Sequence, residues 1–340
     1  PESWFPYPQF ATGKPSLWHH GAKEAKYAAA WESFLAMQLY AYVDPNLAWE
    51  GFKGLISLVD QQGMLGGESL PSRKAETAMI LYQLTGDKQS LLDVYPGIKR
   101  YLEWRVQNPR WIYVQGGHDD VYERDADFAF SALIDIRHMR DIAAVLDMPE
   151  EAAYWESVRQ QLYADSLEWF WETPTSLPSQ YYYEDRNMRN AGHTLWVAQG
   201  VYVDLLSGDH LTSLMNRFAA DYDPNATFAN MGMPKYPNIS FLTYGLLEKG
   251  YTEEAQVITE TSIRDVVRSR TFSEQYDVGG TPVPTGVRPS VFGAGMLINS
   301  VLLKNGYKLD NGSPEFVNMF GSSGGVDGLS IRNRLLNFEL

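Results

Sequence analysis

The 340-residue chain contains no cysteine. This absence excludes disulfide bonds, thiolate catalysis and zinc sites built on cysteine ligands. Histidine is also scarce, and no two of the six histidines, which include His19, His20 and His118, have the helical spacing of a metal-binding pair. The chain also lacks a phosphate-binding loop and a dinucleotide-binding fingerprint. We therefore expect no metal and no other cofactor.

Basic residues are outnumbered, with 28 Lys and Arg against 42 Asp and Glu, which gives a formal charge of −14. Such a chain repels nucleic acid and anionic membrane surfaces, and no Lys/Arg-rich run provides a local exception. No apolar run approaches the length of a membrane span. We expect a soluble protein with no nucleic-acid or membrane partner. Its compartment and oligomeric state stay open, with the cytoplasm favoured and secretion the alternative if a leader was removed.

Helical periodicity dominates what is present, and it predicts an all-α fold. Two stretches, 174–186 and 326–340, allow the two-residue alternation that is typical of strands. Eleven segments are predicted as helices: 22–43, 45–62, 71–86, 88–107, 125–147, 149–172, 190–207, 209–221, 236–249, 252–270 and 287–305.

The connections between these segments alternate between short joints and long loops. The long loops are rich in glycine and aromatic residues and cover 63–70, 108–124, 173–189, 222–235 and 271–286. An array of helix pairs forms either an open solenoid or a closed toroid of inner and outer helices. No fixed-period repeat is visible, which favours the toroid. In a toroid the long loops gather on one rim, where a functional site is expected.

Two of the long loops carry carboxylates among aromatic side chains. Loop 108–124 contains Asp119 and Asp120, and loop 271–286 contains Glu274. Glycoside hydrolysis needs one carboxylic acid to protonate the leaving oxygen and a second carboxylate as base or nucleophile, while aromatic faces hold the sugar. Taken alone, each acid is equally well explained as a solvent-exposed residue. The aromatic residues of these two loops are Trp111, Tyr113, Phe272 and Tyr276.

Other polar residues have simpler interpretations. Asp125 opens the predicted helix 125–147, and we interpret it as an N-cap that accepts a backbone hydrogen bond. Glu32 and Glu68 lie where they could point into a cleft, as further ligands of a sugar. The serines lack the G-x-S-x-G elbow of serine hydrolases, so serine catalysis is not indicated.

In order and spacing, these segments resemble the clan G glycoside hydrolases, above all family 63 and related glucosidases, mannosidases and glycogen-debranching-like enzymes. The segments that carry the resemblance are "AAAWESFLAMQLY", with Trp31-Glu32-Ser33 where the family has Trp-Asp-(Ser/Thr), then "GMLGGESLPSRKAETAMILYQLTGD", "GGHDD", "TFSEQYDVGG" and "VFGAGMLINSVL". The resemblance spans about residues 20–305 and implies a single (α/α)6 toroid as the domain, residues 1–340. Residues 306–340 are then an irregular tail with short strands.

The resemblance also implies an activity, the hydrolysis of an α-glycosidic bond with inversion. The substrate would be an α-glucoside or α-mannoside, either a small glycoside or an oligosaccharide. Asp119 takes the place of the general acid and Glu274 that of the general base, with their carboxyl groups about 6.5–9.5 Å apart. The candidate substrate-binding residues are Trp31, Glu32, Glu68, Arg73, Trp111, Tyr113, His118, Asp120, Phe272, Tyr276 and Arg288. Of these, Arg73 and Arg288 could instead cap a helix or pair with a neighbour.

Two departures from the family pattern support an alternative. The segment "ANMGMPKYPNIS" stands where the family has a tryptophan-rich motif, and Asp120 stands where the family has Asn, which places two like charges together. Both changes favour a barrel that binds carbohydrate without hydrolysing it. A lyase or an epimerase on the same toroid is a third possibility, for which His118 and His193 are the candidate residues.

Overall fold

The computed structural model of the protein describes residues 4–6, 27–65, 71–112, 120–192, 197–221, 236–273, 276–277, 280–282, 294, 298, 301–304, 307–310, 313–316, 330–332 and 335–337. Within these ranges the α-helices are α1 (Ala30–Val43), α2 (Pro45–Ile56), α3 (Lys74–Thr85), α4 (Lys88–Gln107), α5 (Ala126–Val145), α6 (Pro149–Phe170), α7 (Gly208–Asp221), α8 (Tyr236–Glu248) and α9 (Thr252–Ser269). Residues 294, 298 and 301–304 are also helical. The predicted all-α fold class is confirmed.

Short antiparallel strands accompany the helices. In chain order the strand pairs are β1 (Trp4–Pro6) with β2 (Tyr27–Ala29), β6 (Tyr307–Asp310) with β7 (Ser313–Phe316), and β8 (Ser330–Arg332) with β9 (Leu335–Asn337). A three-stranded sheet has the order β3 (Glu123–Asp125), β4 (Tyr181–Tyr183), β5 (Met188–Asn190). Strands β4, β8 and β9 lie in the two stretches where the sequence allows alternation.

The predicted helix over 190–207 is wrong at both of its ends. Strand β5 ends at Asn190. Among the described residues that follow, 197–198 are α-helical, the 3-10 helix Gln199–Tyr202 continues from them, and 203–207 are not helical. Gly192 has a φ of +57°, which a right-handed helix does not allow. Gly200 packs so closely on Phe130 that an added Cβ would lie 2.8 Å from its ring. Residues 197–203 are all buried, which accounts for the apolar character of this part of the segment.

Burial separates the helices into two kinds. Every residue of α5 from Ala126 to Met139 is buried, so this helix is surrounded by protein. Helix α6 instead buries a single stripe, which is typical of a helix with one face in solvent. That stripe consists of Trp155, Arg159, Leu162, Ser166 and Phe170. Helix α5 is therefore an inner helix of the toroid, and α6 is an outer one.

The inner elements pack against one another in chain order. Helix α1 contacts α3, α3 contacts α5, α5 contacts the 3-10 helix, and the 3-10 helix contacts α8. Each of these inner elements also packs on the outer helix that follows it, which is α2, α4, α6, α7 or α9. Leu303, in the helical residues 301–304, belongs to the same buried core. The described residues thus form the predicted toroid of inner and outer helices.

Short and long connections alternate as the sequence indicates. Asp44 alone joins α1 to α2, and its carboxylate caps α2 by accepting the Leu47 N–H at 3.0 Å. Asp87, in the joint before α4, accepts the Ser90 N–H at 2.9 Å in the same way. These short joints lead outwards, and the long connections return from an outer helix to an inner one. Because the paired helices are antiparallel, the long connections share one rim with the N-termini of the inner helices.

The N-terminus of α3 is capped by a side chain from another helix. Asp135 of α5 accepts the backbone N–H of Lys74 at 2.8 Å and that of Glu76 at 2.9 Å, and all three residues are buried. Arg73, which precedes α3, adopts a left-handed φ of +34° and makes no side-chain cap itself. Burial raises the pKa of Asp135 to about 7, although the Glu76 N–H and the charge of Lys74 favour its ionised form.

We expect Asp135 to make stability depend on pH. With a pKa near 3.9 unfolded and about 7 folded, Asp135 binds more protons in the folded state between these values. The contribution of Asp135 to the free energy of unfolding is therefore present below about pH 4. It is lost as the pH rises towards 7, at up to about 1.4 kcal/mol per pH unit. Urea unfolding across this range should show wild type losing free energy of unfolding relative to Asp135→Asn. Parallel curves for the two proteins would contradict the assignment.

Candidate active site at the rim of the toroid

The loop between α4 and α5 is held by hydrogen bonds at both of its ends. The buried Arg105 donates to the carbonyl of Asn108 at 3.0 Å and to that of Arg110 at 2.9 Å. At the other end, the Asp125 N–H donates to the carbonyl of Pro109 at 2.7 Å. The loop therefore starts and finishes at one point on the rim. Its segment 113–119, which contains the predicted residues Tyr113, His118 and Asp119, lies outside the described residues.

Asp120 follows the predicted general acid and has several partners. Its carboxylate accepts the Tyr122 N–H at 3.1 Å and forms a hydrogen-bonded ion pair with Arg186. Its carbonyl accepts the Glu123 N–H at 3.0 Å. In this structure Asp120 is thus a fixed point of the loop, and its negative charge is balanced by a guanidinium.

A group of buried carboxylates begins three residues later. Asp125 is the N-cap of α5, as predicted, and accepts the Asp127 N–H at 3.0 Å. Glu123, Asp125 and Asp127 are each at most 1% exposed. Burial, then the charge of Asp127, then that of Glu123 raise the pKa of Asp125 well above its ordinary value. The partly buried Trp111 lies beside Asp125 and opposes this by favouring the ionised form.

The loop after α9 is folded around Tyr276. Its hydroxyl donates to the carbonyl of Thr271 at 2.6 Å and accepts the Ser273 N–H at 3.1 Å. Beyond it, a tight turn is closed by the Asp277 N–H to the Thr281 carbonyl and by the Thr281 N–H to the Asp277 carboxylate, both at 2.8 Å. Glu274 lies outside the described residues, between the buried Ser273 and Tyr276.

Gly280 ties this loop back to α9. Its φ is +74°, and a Cβ at this position would collide with the carboxylate of the buried Asp265. Glycine is thus required both by the backbone conformation and by the close approach. The loop bearing Glu274 is therefore fastened at its start by Tyr276 and further along by its contact with the outer helix.

The structure places the predicted substrate-binding residues in different environments. Tyr276 is fully buried, so its burial does not support a sugar-stacking role, whereas Phe272 is 36% exposed. Arg73 is 1% exposed and pairs with Glu76 at 3.5 Å, in agreement with the simpler interpretation of this residue. Trp31 and Glu32 lie on α1, and their side chains are outside the description. Glu68 and Arg288 are also outside the described residues.

Sequence reasoning missed Asp135, Arg105 and Arg186. Asp135 left a signal, because it is a lone acid within the apolar stretch "FAFSALIDI", where an uncompensated charge would be costly. Arg105 and Arg186 left none, since their functions depend on partners brought together by the fold.

Two negative findings apply to the described residues. Among them, no group of three or more histidine, aspartate or glutamate side chains is arranged to hold a metal ion. Of the helices in this part of the chain, none combines the length and apolar character needed to cross a membrane.

Solved structures resemble this architecture although their sequences differ. Family 63 mannosylglycerate hydrolase from Thermus thermophilus, in complex with glucose, gives a TM-score of 0.66 at 12% identity, over 82% of this chain and 95% of that one. A family 78 rhamnosidase of Bacillus sp. GL1 gives 0.61 at 11% identity, over 82% of this chain and 32% of that one.

An α-L-rhamnosidase from Dictyoglumus thermophilum gives a TM-score of 0.56 at 15% identity, over 84% of this chain and 34% of that one. No protein-family model and no curated protein sequence matches the chain. The structural similarities show that the chain has the (α/α)6-barrel fold of these glycoside hydrolases.

We expect the hydroxyl of Tyr276 to stabilise the folded protein. Tyr276→Phe leaves the Ser273 N–H and the Thr271 carbonyl without this partner, and a buried unsatisfied group costs about 1–3 kcal/mol. Chemical unfolding should show a loss of this size. Tyr163→Phe, which removes the hydroxyl of a half-buried tyrosine on α6, is the matched control and should lose less. Equal losses in the two variants would count against the anchoring function of Tyr276.

Proposed function

We propose that this protein is a glycoside hydrolase that cleaves an α-glycosidic bond with inversion. The observation that carries the proposal is its (α/α)6 fold, shared with family 63 and family 78 glycoside hydrolases. The two candidate carboxylates lie on loops that both return from an outer helix to an inner one. Such loops share a rim of the toroid, which is the arrangement that two-carboxylate catalysis requires.

In this mechanism Asp119 is the general acid and Glu274 the general base. Asp119 donates its proton to the glycosidic oxygen as the bond to the anomeric carbon breaks. Glu274 takes a proton from a water molecule, whose oxygen attacks that carbon from the opposite face. The product sugar therefore has the inverted anomeric configuration, and no covalent intermediate forms.

A general acid has to be protonated at the working pH, which requires a raised pKa. Glu123, Asp125 and Asp127 follow Asp119 closely in the chain and are buried. The negative charges of Asp127 and Glu123, together with burial, raise the pKa of Asp125, and we expect these charges to favour protonation of Asp119 in the same way. The same charge stabilises the positive charge that develops on the sugar in an oxocarbenium-like transition state.

For the substrate we propose a small α-mannoside or α-glucoside, or an oligosaccharide that presents such a sugar. The name of the family 63 neighbour, mannosylglycerate hydrolase, supports a small α-mannoside. The exposed ring of Phe272, two residues before Glu274, supports a sugar contact at this loop. The negative charge of the chain favours neutral substrates over anionic ones.

We expect wild type to hydrolyse at least one member of a panel of α-mannosides, α-glucosides and oligosaccharides. NMR should detect the inverted anomer as the first product. Glu274→Gln should abolish turnover, by about 1,000-fold or more, while sugar binding and folding persist, because only the base is lost. Glu260→Gln, which changes an exposed acid on α9, is the matched control and should retain full activity.

Two other results would point away from this proposal. If the protein binds sugars but yields no product at any pH, it is a carbohydrate-binding barrel. If the first product retains its anomeric configuration, then Glu274 or Asp119 acts as a nucleophile and the inverting mechanism is wrong.

A further inference from the structure

The loop that bears the proposed general acid is fastened to a second rim loop by Arg186. We propose that Arg186 is a positioning residue, which through Asp120 holds Asp119 in the orientation needed to protonate the leaving oxygen. This inference rests on the proposed function. It concerns a residue 66 positions from Asp120 in the chain.

The Arg186 side chain is also held by contacts other than its ion pair with Asp120. Arg186 ends the 3-10 turn Glu184–Arg186, which directly follows β4, and its Nε donates to the Asp185 carboxylate at 3.0 Å. Its guanidinium also stacks on the ring of Tyr183, 4.5 Å from the centroid. A planar guanidinium held in this way loses less conformational freedom when it binds a carboxylate.

The link from Asp120 to Asp119 is covalent, since adjacent Cα atoms are about 3.8 Å apart. The Asp120 side chain is held by Arg186 and by the Tyr122 N–H, and its carbonyl by the Glu123 N–H. A shift of Asp120 therefore moves the backbone of Asp119. For a proton donor, a misplacement of about 1 Å is enough to cost about 100-fold in rate.

The ion pair also controls the charge next to the acid. Without Arg186, Asp120 would place an uncompensated anion beside Asp119, and this would hinder its ionisation. The other charged groups around Arg186 are Asp185, Glu123 near the Tyr183 hydroxyl, and the Arg124–Glu184 pair at 2.7 Å. The pairing explains how an aspartate is accommodated where the resembling family carries Asn.

The same small sheet offers a matched control. Arg189 stacks on Tyr182 at 5.1 Å and donates to the carbonyls of Trp169 and Glu168 on α6 at 2.9 Å and 2.8 Å. Tyr182 and Tyr183 are neighbours in β4, so their side chains point to opposite faces of the sheet. Arg189 therefore fastens the sheet to the outer helix, on the face away from Tyr183.

The decisive experiment compares two substrates of one sugar, an alkyl α-glycoside and the α-glycosyl fluoride. Fluoride leaves with little need for a general acid, whereas the alkoxide needs one. We expect Arg186→Gln to lower kcat on the alkyl glycoside about 10- to 100-fold and on the fluoride less than about 3-fold. Arg189→Gln should change both substrates by the same factor.

The pH profile provides a second readout. In Arg186→Gln the basic limb of kcat/KM should move up by about half to one pH unit, because the bare charge of Asp120 favours protonated Asp119. In Asp120→Asn, where the charge is removed, the limb should move down. A purely structural function of Arg186 would leave the basic limb of Arg186→Gln where it is in wild type.

The outcomes separate the two proposals. If wild type turns over both substrates but Arg186→Gln loses equally on each with an unmoved limb, the inference about Arg186 is wrong and the proposed function stands. If wild type turns over neither, the proposed function fails and the positioning role fails with it.

Discussion

The constraint on which the rest of the structure depends is that closing helices into a ring buries the ends of the inner ones. A helix N-terminus carries backbone N–H groups without partners in the helix, and inside a toroid water cannot satisfy all of them. For α3 the solution is Asp135 of α5, which accepts two of these N–H groups and so joins adjacent inner helices. Opposite charges also lie close together at this point. Burial lowers the pKa of Arg73, and the negative charges of Glu76, Asp135 and Asp127 act against this lowering.

The rim loops follow from the same geometry. Each long connection leaves an outer helix and has to enter an inner one nearby, so its two ends are close together whatever its length. The Asp125 N–H to Pro109 carbonyl bond closes one loop in this way, and the hydroxyl of Tyr276 organises the start of the other. Closing a loop costs little more as the loop lengthens, so the segments between such anchors are where residues for chemistry can be placed.

What the sequence could predict was determined by how local each interaction is. The caps at Asp44, Asp87 and Asp125 act over two or three residues, and their helix starts fall within one or two positions of the prediction. The ion pair from Asp120 to Arg186 spans 66 residues and leaves no local pattern. The sequence also does not distinguish two functions of an aromatic residue in a polar loop. Such a side chain can stack on a sugar, or it can be buried in the core. Tyr276 belongs to the core since its hydroxyl has two backbone partners within its own loop.

In the loop before α5, one acid is neutralised by an arginine, whereas the acids that follow it are buried. Under the proposed mechanism these two environments have different effects. Asp120, whose side chain is 28% exposed, is matched by Arg186, whereas Glu123, Asp125 and Asp127 are buried, and burial and the charges of Asp127 and Glu123 raise the pKa of Asp125. Neutralising Asp120 leaves Asp119 free of a competing anion at its nearest neighbour, while the charges of Glu123 and Asp127 maintain a negative potential farther along the chain. Release of the proton by Asp119 depends on the charge of its immediate neighbour, which Arg186 neutralises. Stabilisation of a cationic sugar acts over a longer distance, so negative charges farther along the chain can contribute to it. The aspartate at position 120 is therefore better explained as half of an ion pair than as the loss of a catalytic motif.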